Sequence, residues 1–138
     1  MLNTHFQGKI TEIQVAKAFL ELGYQVSQPL VPDSRYDFIV DIKGKLLKIQ
    51  VKTSHLAEDK SYFEFATSTS HTNTKGTINH SYTPDEIDYF ATFYENECYI
   101  ISVSESGSRV QRLRLKPPKN RQTVGIKYAK DYLLKDTF

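Results

Sequence analysis

The sequence predicts an α/β fold: a mixed, mainly antiparallel twisted sheet with an N-terminal helix packed over one face. Three observations lead there. Apolar residues recur at helical spacing from Phe6 to Leu20 and stop at Gly23. Two strand-like stretches, Tyr36–Ile42 and a run ending Lys48-Ile49-Gln50-Val51-Lys52, flank a Lys43-Gly44 turn. Further short alternating stretches follow at 61–66, 89–94, 98–103 and 109–116.

Along the chain, Thr4-His5-Phe6-Gln7 matches a capping box, in which Thr4 and Gln7 satisfy each other's free backbone N–H groups. Phe6, Ile10, Ile13, Ala16 and Leu20 form the stripe expected to face the core. Gly8 and Glu12 lie four apart and share a face beside it, so Gly8 would let the helix approach the sheet and aim Glu12. Tyr24–Ser27 reads as a short strand, closed by Pro29 and the Pro32-Asp33-Ser34 turn. After the hairpin and the strand at 61–66, residues 67–82 are dominated by Thr, Ser, His, Asn and Lys. Ile78 is their only aliphatic residue longer than alanine, and they read as a long loop. Thr83-Pro84-Asp85-Glu86 starts a helix about one turn long. Tyr89–Tyr94 and Cys98–Val103 form a hairpin around Glu95-Asn96. The strand 109–116 turns Leu113 and Leu115 inward and Arg112, Arg114 and Lys116 outward, and Pro117-Pro118 ends it. A last short helix is expected over 128–134. No repeat and no linker interrupts residues 1–138, which are read as one domain.

Composition bounds the function. At 138 residues, 39% hydrophobic and 25% charged, the chain is globular rather than disordered. No apolar run approaches the roughly 18 residues needed to cross a bilayer, and no secretory signal is expected at the start. The single cysteine, Cys98, fits a reducing cytoplasm and reads as a small buried residue. Net charge is uneven. Residues 1–100 hold nine Lys/Arg against thirteen Asp/Glu, whereas residues 101–138 hold nine against three. An acidic part with a basic strip suits a protein that binds cations and grips a polyanion, and it also suits a plain solvated surface.

The chemistry concentrates in Asp37, Gln50 and Lys52. Alternation along a strand points Gln50 and Lys52 the same way, and Asp37 can join them from the partner strand. A carboxylate, an amide oxygen and an ammonium can hold a hard divalent cation and orient a water, which suits phosphodiester hydrolysis. Glu12 on the helix is the natural fourth member. Read alone, the spacing also describes a surface hairpin with a polar wet face. Asp41, about 13 Å from Asp37 along the strand, reads as a surface charge.

A helix bearing glutamate, a strand bearing aspartate and a paired strand ending Gln50-Val51-Lys52-Thr53-Ser54 resembles the PD-(D/E)XK nuclease superfamily. Tyr36 stands at the motif's proline. Asp88-Tyr89-Phe90-Ala91, Cys98-Tyr99-Ile100-Ile101, Leu113-Arg114-Leu115 and Ile126-Lys127-Tyr128-Ala129 extend the likeness, over nearly the whole chain, to the branch of bacterial group I intron-encoded homing endonucleases. The resemblance implies a restriction-endonuclease-like core, a mainly antiparallel central sheet flanked by helices. It implies Glu12, Asp37, Gln50 and Lys52 as catalytic residues, the first three binding Mg²⁺ with Mn²⁺ able to replace it. It further implies site-specific cutting of double-stranded DNA in the bacterial cytoplasm, near the nucleoid, by at least a homodimer and, by the branch, a homotetramer. A Holliday-junction resolvase or a DNA-binding module with a decayed site would share these features. Gln50 departs from the usual acid. It removes one negative charge, and a retained activity, an inactivated site and a replaced glutamate all remain open.

DNA contacts are expected from Arg112, Arg114 and Lys116, with Lys119 and Arg121 beyond the prolines, although a charged edge strand would look the same. His71, Asn73, Lys75, Asn79 and His80 in the long loop could hydrogen-bond base edges, or the loop could order only with a ligand. Arg35 either touches the scissile phosphate or pairs with Asp33. Tyr89, Phe90, Phe93, Tyr94 and Tyr99 are expected to build a core or a subunit contact.

Overall fold

The computed structural model describes residues 3–138, and of His71 its backbone alone. Helix α1 spans Thr4–Glu21. Its cap is Asn3 rather than Thr4: the Asn3 side-chain oxygen accepts from Phe6 N–H, because an extended Asn3 presents a carbonyl where Thr4, already helical, cannot. Leu22 caps the other end, where Gly23, at φ 87°, supplies the left-handed turn that stops the helix.

Ten strands follow among the described residues: β1 (Gln25–Ser27), β2 (Phe38–Ile42), β3 (Lys45–Val51), β4 (His55–Leu56), β5 (Tyr62–Ala66), β6 (Ser68–Asn73), β7 (Gly76–Ser81), β8 (Tyr89–Tyr94), β9 (Glu97–Ser102) and β10 (Val110–Arg114). A central sheet runs β1-β2-β3-β8-β9, a second β10-β5-β4, and β6-β7 pair alone. Only β3 and β8 run parallel within these named pairings, with Gln50 opposite Phe90. Lys43 and Gly44 at φ 54° and 88°, and Glu95 and Asn96 at 44° and 67°, form the tight hairpin turns whose twist matches the strands they join. Asp88 locks the parallel pair by accepting from Lys48 N–H at 2.8 Å and donating its own N–H to Lys48 C=O at 2.9 Å.

Strand alternation gives the central sheet two apolar faces. Val40, Ile42, Leu47, Ile49, Val51, Ala91, Cys98 and Ile100 pack with Val15 and Phe19 of α1. On the other side Phe90, Tyr99 and Ile101 pack with Phe63, Phe65 and Leu113 of the second sheet, joined by Tyr82 and Ile87. Each fully buried Val, Leu, Ile or Phe among these contributes about 1.5–3 kcal/mol. Of the aromatics expected in the core, Phe90 and Tyr99 are buried there, with Tyr89, Phe93 and Tyr94 at its margins.

Several expectations are corrected. The helix buries Thr11, Val15 and Phe19, while Phe6, Ile13 and Leu20 stay 56–62% exposed. The apolar stripe in the sequence is real, but apart from Ala16, which packs at the core's margin, it points away from the core, so periodicity found a helix face without saying what covers it. A Cβ at Gly8 would meet nothing within 4 Å, so Gly8 is not a close-approach position. The 67–82 segment is a β-ribbon rather than a loop; its Ser/Thr/Asn composition hid the strands because neither face is packed. Leu115 lies past the end of β10 and is exposed, so alternation no longer turns it inward. Residues 83–87 make a single turn closed by Glu86 and Ile87 N–H on Thr83 C=O. The expected C-terminal helix is two 3₁₀ turns, Ala129–Asp131 and Leu134–Asp136, interrupted where Tyr132 C=O accepts from Ile100 N–H of β9.

Equilibrium urea unfolding should separate the two helix faces. Phe19→Ala should cost about 3–5 kcal/mol by opening a cavity. Gly8→Ala should stabilise by roughly 0.5–1 kcal/mol, since a helical glycine with open space around it loses only conformational entropy.

Candidate active site

The polar group forms where β2 begins and β3 ends. Phe38 pairs with Ile49, and Asp37 N–H donates to Ile49 C=O at 2.8 Å, so continuing that register sets Asp37 opposite Gln50. Ile49 and Val51 are buried in the helix-side core, which turns Gln50 and Lys52 to the other face. The next hydrogen bond is the decisive one: Val51 N–H donates to Asp37 Oδ2 at 2.8 Å. One carboxylate oxygen is thereby fixed by the neighbouring strand.

Burial pushes the Asp37 carboxyl up to about 6, opposed by the Val51 hydrogen bond and aided by the nearby Glu12 carboxyl. Lys52 is pushed below its usual value, first by burial and then by the Arg35 charge, while Asp37 pulls it back up. Glu12 is tied loosely to Lys9 at 3.4 Å. The Gln50 amide nitrogen donates to Val51 C=O at 3.4 Å, leaving its oxygen as the atom able to ligate. Glu12 and Asp37 therefore come within electrostatic reach of one another, and Asp37 of Lys52, with Gln50 across the strand pair. No group of three or more His, Cys, Asp and Glu gathers among the described residues. Two carboxylates and a neutral oxygen still suit a hard cation that keeps several waters, and a cation would offset both the desolvation and the lesser Glu12 repulsion that raise Asp37.

Two supports were not legible as functional. Thr11, buried on α1, lies 3.3 Å from the Thr53 hydroxyl and donates to Gln7 C=O, so it fastens the helix turn carrying Glu12 to the exit of β3. A threonine on the polar side of the apparent stripe, one residue from Glu12, was the available signal. Tyr82, buried and edge-on to Phe90 at 5.2 Å, has Lys52 Nζ 5.0 Å and the Arg35 guanidinium 3.7 Å from its ring centre. It is the only Phe, Tyr or Trp between Phe65 and Tyr89, and that isolation in a polar run was its mark.

Arg35 pairs with Glu86 rather than Asp33: Nε donates to Glu86 Oε2 at 2.8 Å, because the 83–86 turn brings Glu86 beneath it. Its other nitrogens donate to Thr69 Oγ1 at 3.2 Å and Ser81 C=O at 3.1 Å. Asp41 is a β2 residue whose side chain closes the Lys43-Gly44 turn by accepting from Gly44 N–H. Burial raises the Cys98 thiol to about 12, so it is no nucleophile.

The other candidates are spread out. Arg112 and Arg114 flank the Tyr62 ring at 4.5 and 5.5 Å, and Arg112 also meets Glu64 at 3.4 Å. With Lys119 and Lys127 they line a groove of about 710 Å³ that includes none of Glu12, Asp37, Gln50 and Lys52. Lys116 and Arg121 are exposed nearby in sequence. Asn73 and Lys75 sit at the ribbon tip, where Asn73 Oδ1 accepts from Lys75 N–H at 2.8 Å. The His71 side chain lies outside the described part.

The raised Asp37 value has a stability consequence. Folding favours the protonated carboxyl, so that contribution is present below the unfolded value near 3.8 and is lost as pH rises through about 6. Metal-free Asp37→Asn should therefore melt a few degrees above the unsubstituted chain at pH 8, with the difference vanishing toward pH 4, read by calorimetry.

The geometry meets known proteins at three levels. Protein 5.3 of Escherichia phage T7 is 39% identical over 54 residues, which are 39% of this chain and 46% of that protein, so the match spans less than half of the relative. The bacterial homing endonuclease I-Ssp6803I has the same fold, with a TM-score of 0.79 at 23% identity over 96% of this chain and 89% of that one. The restriction-endonuclease-like fold expected from the sequence is thus present, with α1 on one face and the second sheet on the other. A family model described as PD-(D/E)XK endonuclease matches residues 2–135. The chain belongs to the PD-(D/E)XK endonuclease family.

Proposed function

We propose that the protein is a site-specific endonuclease of double-stranded DNA that works with Mg²⁺, or Mn²⁺ in its place, held by Glu12, Asp37 and Gln50. The observation that carries this reading is the half-buried Asp37 carboxylate, fixed by Val51 N–H beside a second carboxylate and next to Lys52. The metal, when bound, supplies an activated water and polarises the phosphate. Asp37 presents its remaining oxygen in a set direction, and Gln50 adds a neutral donor. Lys52 holds the attacking water and offsets charge growing on phosphorus, its proton loosened by burial. Arg112, Arg114, Lys116, Lys119 and Arg121 hold DNA phosphates, and Arg35 backs the scissile position.

The likeness to a homing endonuclease supports intron homing as the biological role. Cutting both strands needs two such sites related by a twofold axis, hence at least a homodimer, and a homotetramer is two of them. The uncovered stripe of Phe6, Ile10, Ile13 and Leu20 on α1 is the surface assigned to that contact. No helix among the described residues is long and apolar enough to cross a membrane.

Lys52→Ala should lower duplex cleavage in Mg²⁺ by about 10²–10³-fold or more, with affinity measured without metal changed by less than roughly tenfold. Loss of binding in step with cleavage would contradict the role given to Lys52. In sedimentation velocity, Phe6→Ser with Ile13→Ser should convert an oligomer to the monomer mass; an unchanged mass removes α1 as the interface.

A further inference from the structure

The ribbon β6–β7 has no packing role in the fold. Residues 72–81 are all exposed, and no named core residue comes from either strand. A two-stranded ribbon packed on neither face is marginal by itself, so what holds it is its root. There Arg35 binds Thr69 and Ser81, the Thr67 backbone and hydroxyl bind Arg109 and Gly107, and the Ser81 hydroxyl binds Ser108. A six-residue strand reaches about 20 Å from that root. From Ser68 to Ser81 there is no acidic residue, and Lys75 is the only formal charge.

The register assigns the two faces. Thr69, Ile78 and His80 share one, and Ser70, Thr72, Thr77 and Asn79 the other. Thr72 and Thr77 satisfy each other at 3.0 Å, and Asn73 is spent on the tip turn. The Thr69 face is continuous with the catalytic end: Arg35 holds Thr69, and both Arg35 and Lys52 stand against Tyr82. Resting on the endonuclease reading above, we propose that this ribbon enters the major groove beside the cut phosphate and reads base edges, with Ile78 and His80 as specificity-determining residues. The major groove admits a two-stranded ribbon; imidazole offers a donor or acceptor to a base edge, and an exposed isoleucine covers a thymine methyl.

The test uses a pool of linear duplexes with randomised positions and the full chain in two arms: sequences retained without metal, and sequences cut in Mg²⁺. Both arms are run for the unsubstituted protein, Ile78→Ala and His80→Ala. Each variant should lose preference at one or two adjacent base pairs, by about fivefold or more, while preference elsewhere persists. Identical preference profiles in the retained arm overturn the proposal, as does retention of no duplex at all. Profiles that are unchanged while a variant's sedimentation mass falls would assign the ribbon to subunit contact instead. Absence of cutting with preferences intact in the retained arm would sink the nuclease reading alone and leave the ribbon's role standing.

Discussion

One hydrogen bond organises the molecule's chemistry: Val51 N–H to the Asp37 carboxylate across the start of β2 and the end of β3. A half-buried carboxylate is costly to keep ionised, and a second carboxylate nearby adds to the cost. Protonation, a hydrogen bond and a cation are the available remedies, and the strand supplies only the second. What remains is a preorganised demand for positive charge. Lys52 meets part of it, and a divalent ion with two carboxylates and an amide oxygen would meet the rest.

The rest of the fold keeps that carboxylate in place. The parallel pairing of β3 and β8, locked by Asp88, fixes where Gln50 and Lys52 emerge. Thr11 against Thr53 fixes the helix turn that carries Glu12. On the far side Tyr82 receives both cations, Lys52 and Arg35, and Arg35 continues to Glu86 and to the ribbon root. The ribbon root and the Asp37 site are therefore joined by a short chain of half-buried contacts. On the proposed reading, Gln50 in place of the usual second acid lowers the negative charge of the site by one, which would weaken the pull on a second metal.

Much of this was legible in the sequence because it is encoded locally. The β2–β3 hairpin announces itself through Lys43-Gly44 and the alternation around Gln50 and Lys52, and Glu95-Asn96 does the same for β8–β9. What failed to show depends on distant partners. The apolar stripe on α1 has a clear period, but period carries no information on which face meets the sheet, and Thr11, Val15 and Phe19 won that contact. The ribbon lacks the apolar alternation that marks a packed strand, because nothing packs on it. Arg35 found Glu86, fifty-one residues away, instead of its near neighbour Asp33, since the turn after β7 folds back over β3. Tyr82 gained its role only from tertiary placement.

The most direct test is a carbon-13 NMR titration of the Asp37 side-chain carboxyl with and without Mg²⁺. The account predicts a midpoint near 6 in the metal-free protein, moving clearly downward when Mg²⁺ is added. A midpoint at the ordinary carboxylate value near 4 that Mg²⁺ leaves unmoved would contradict it.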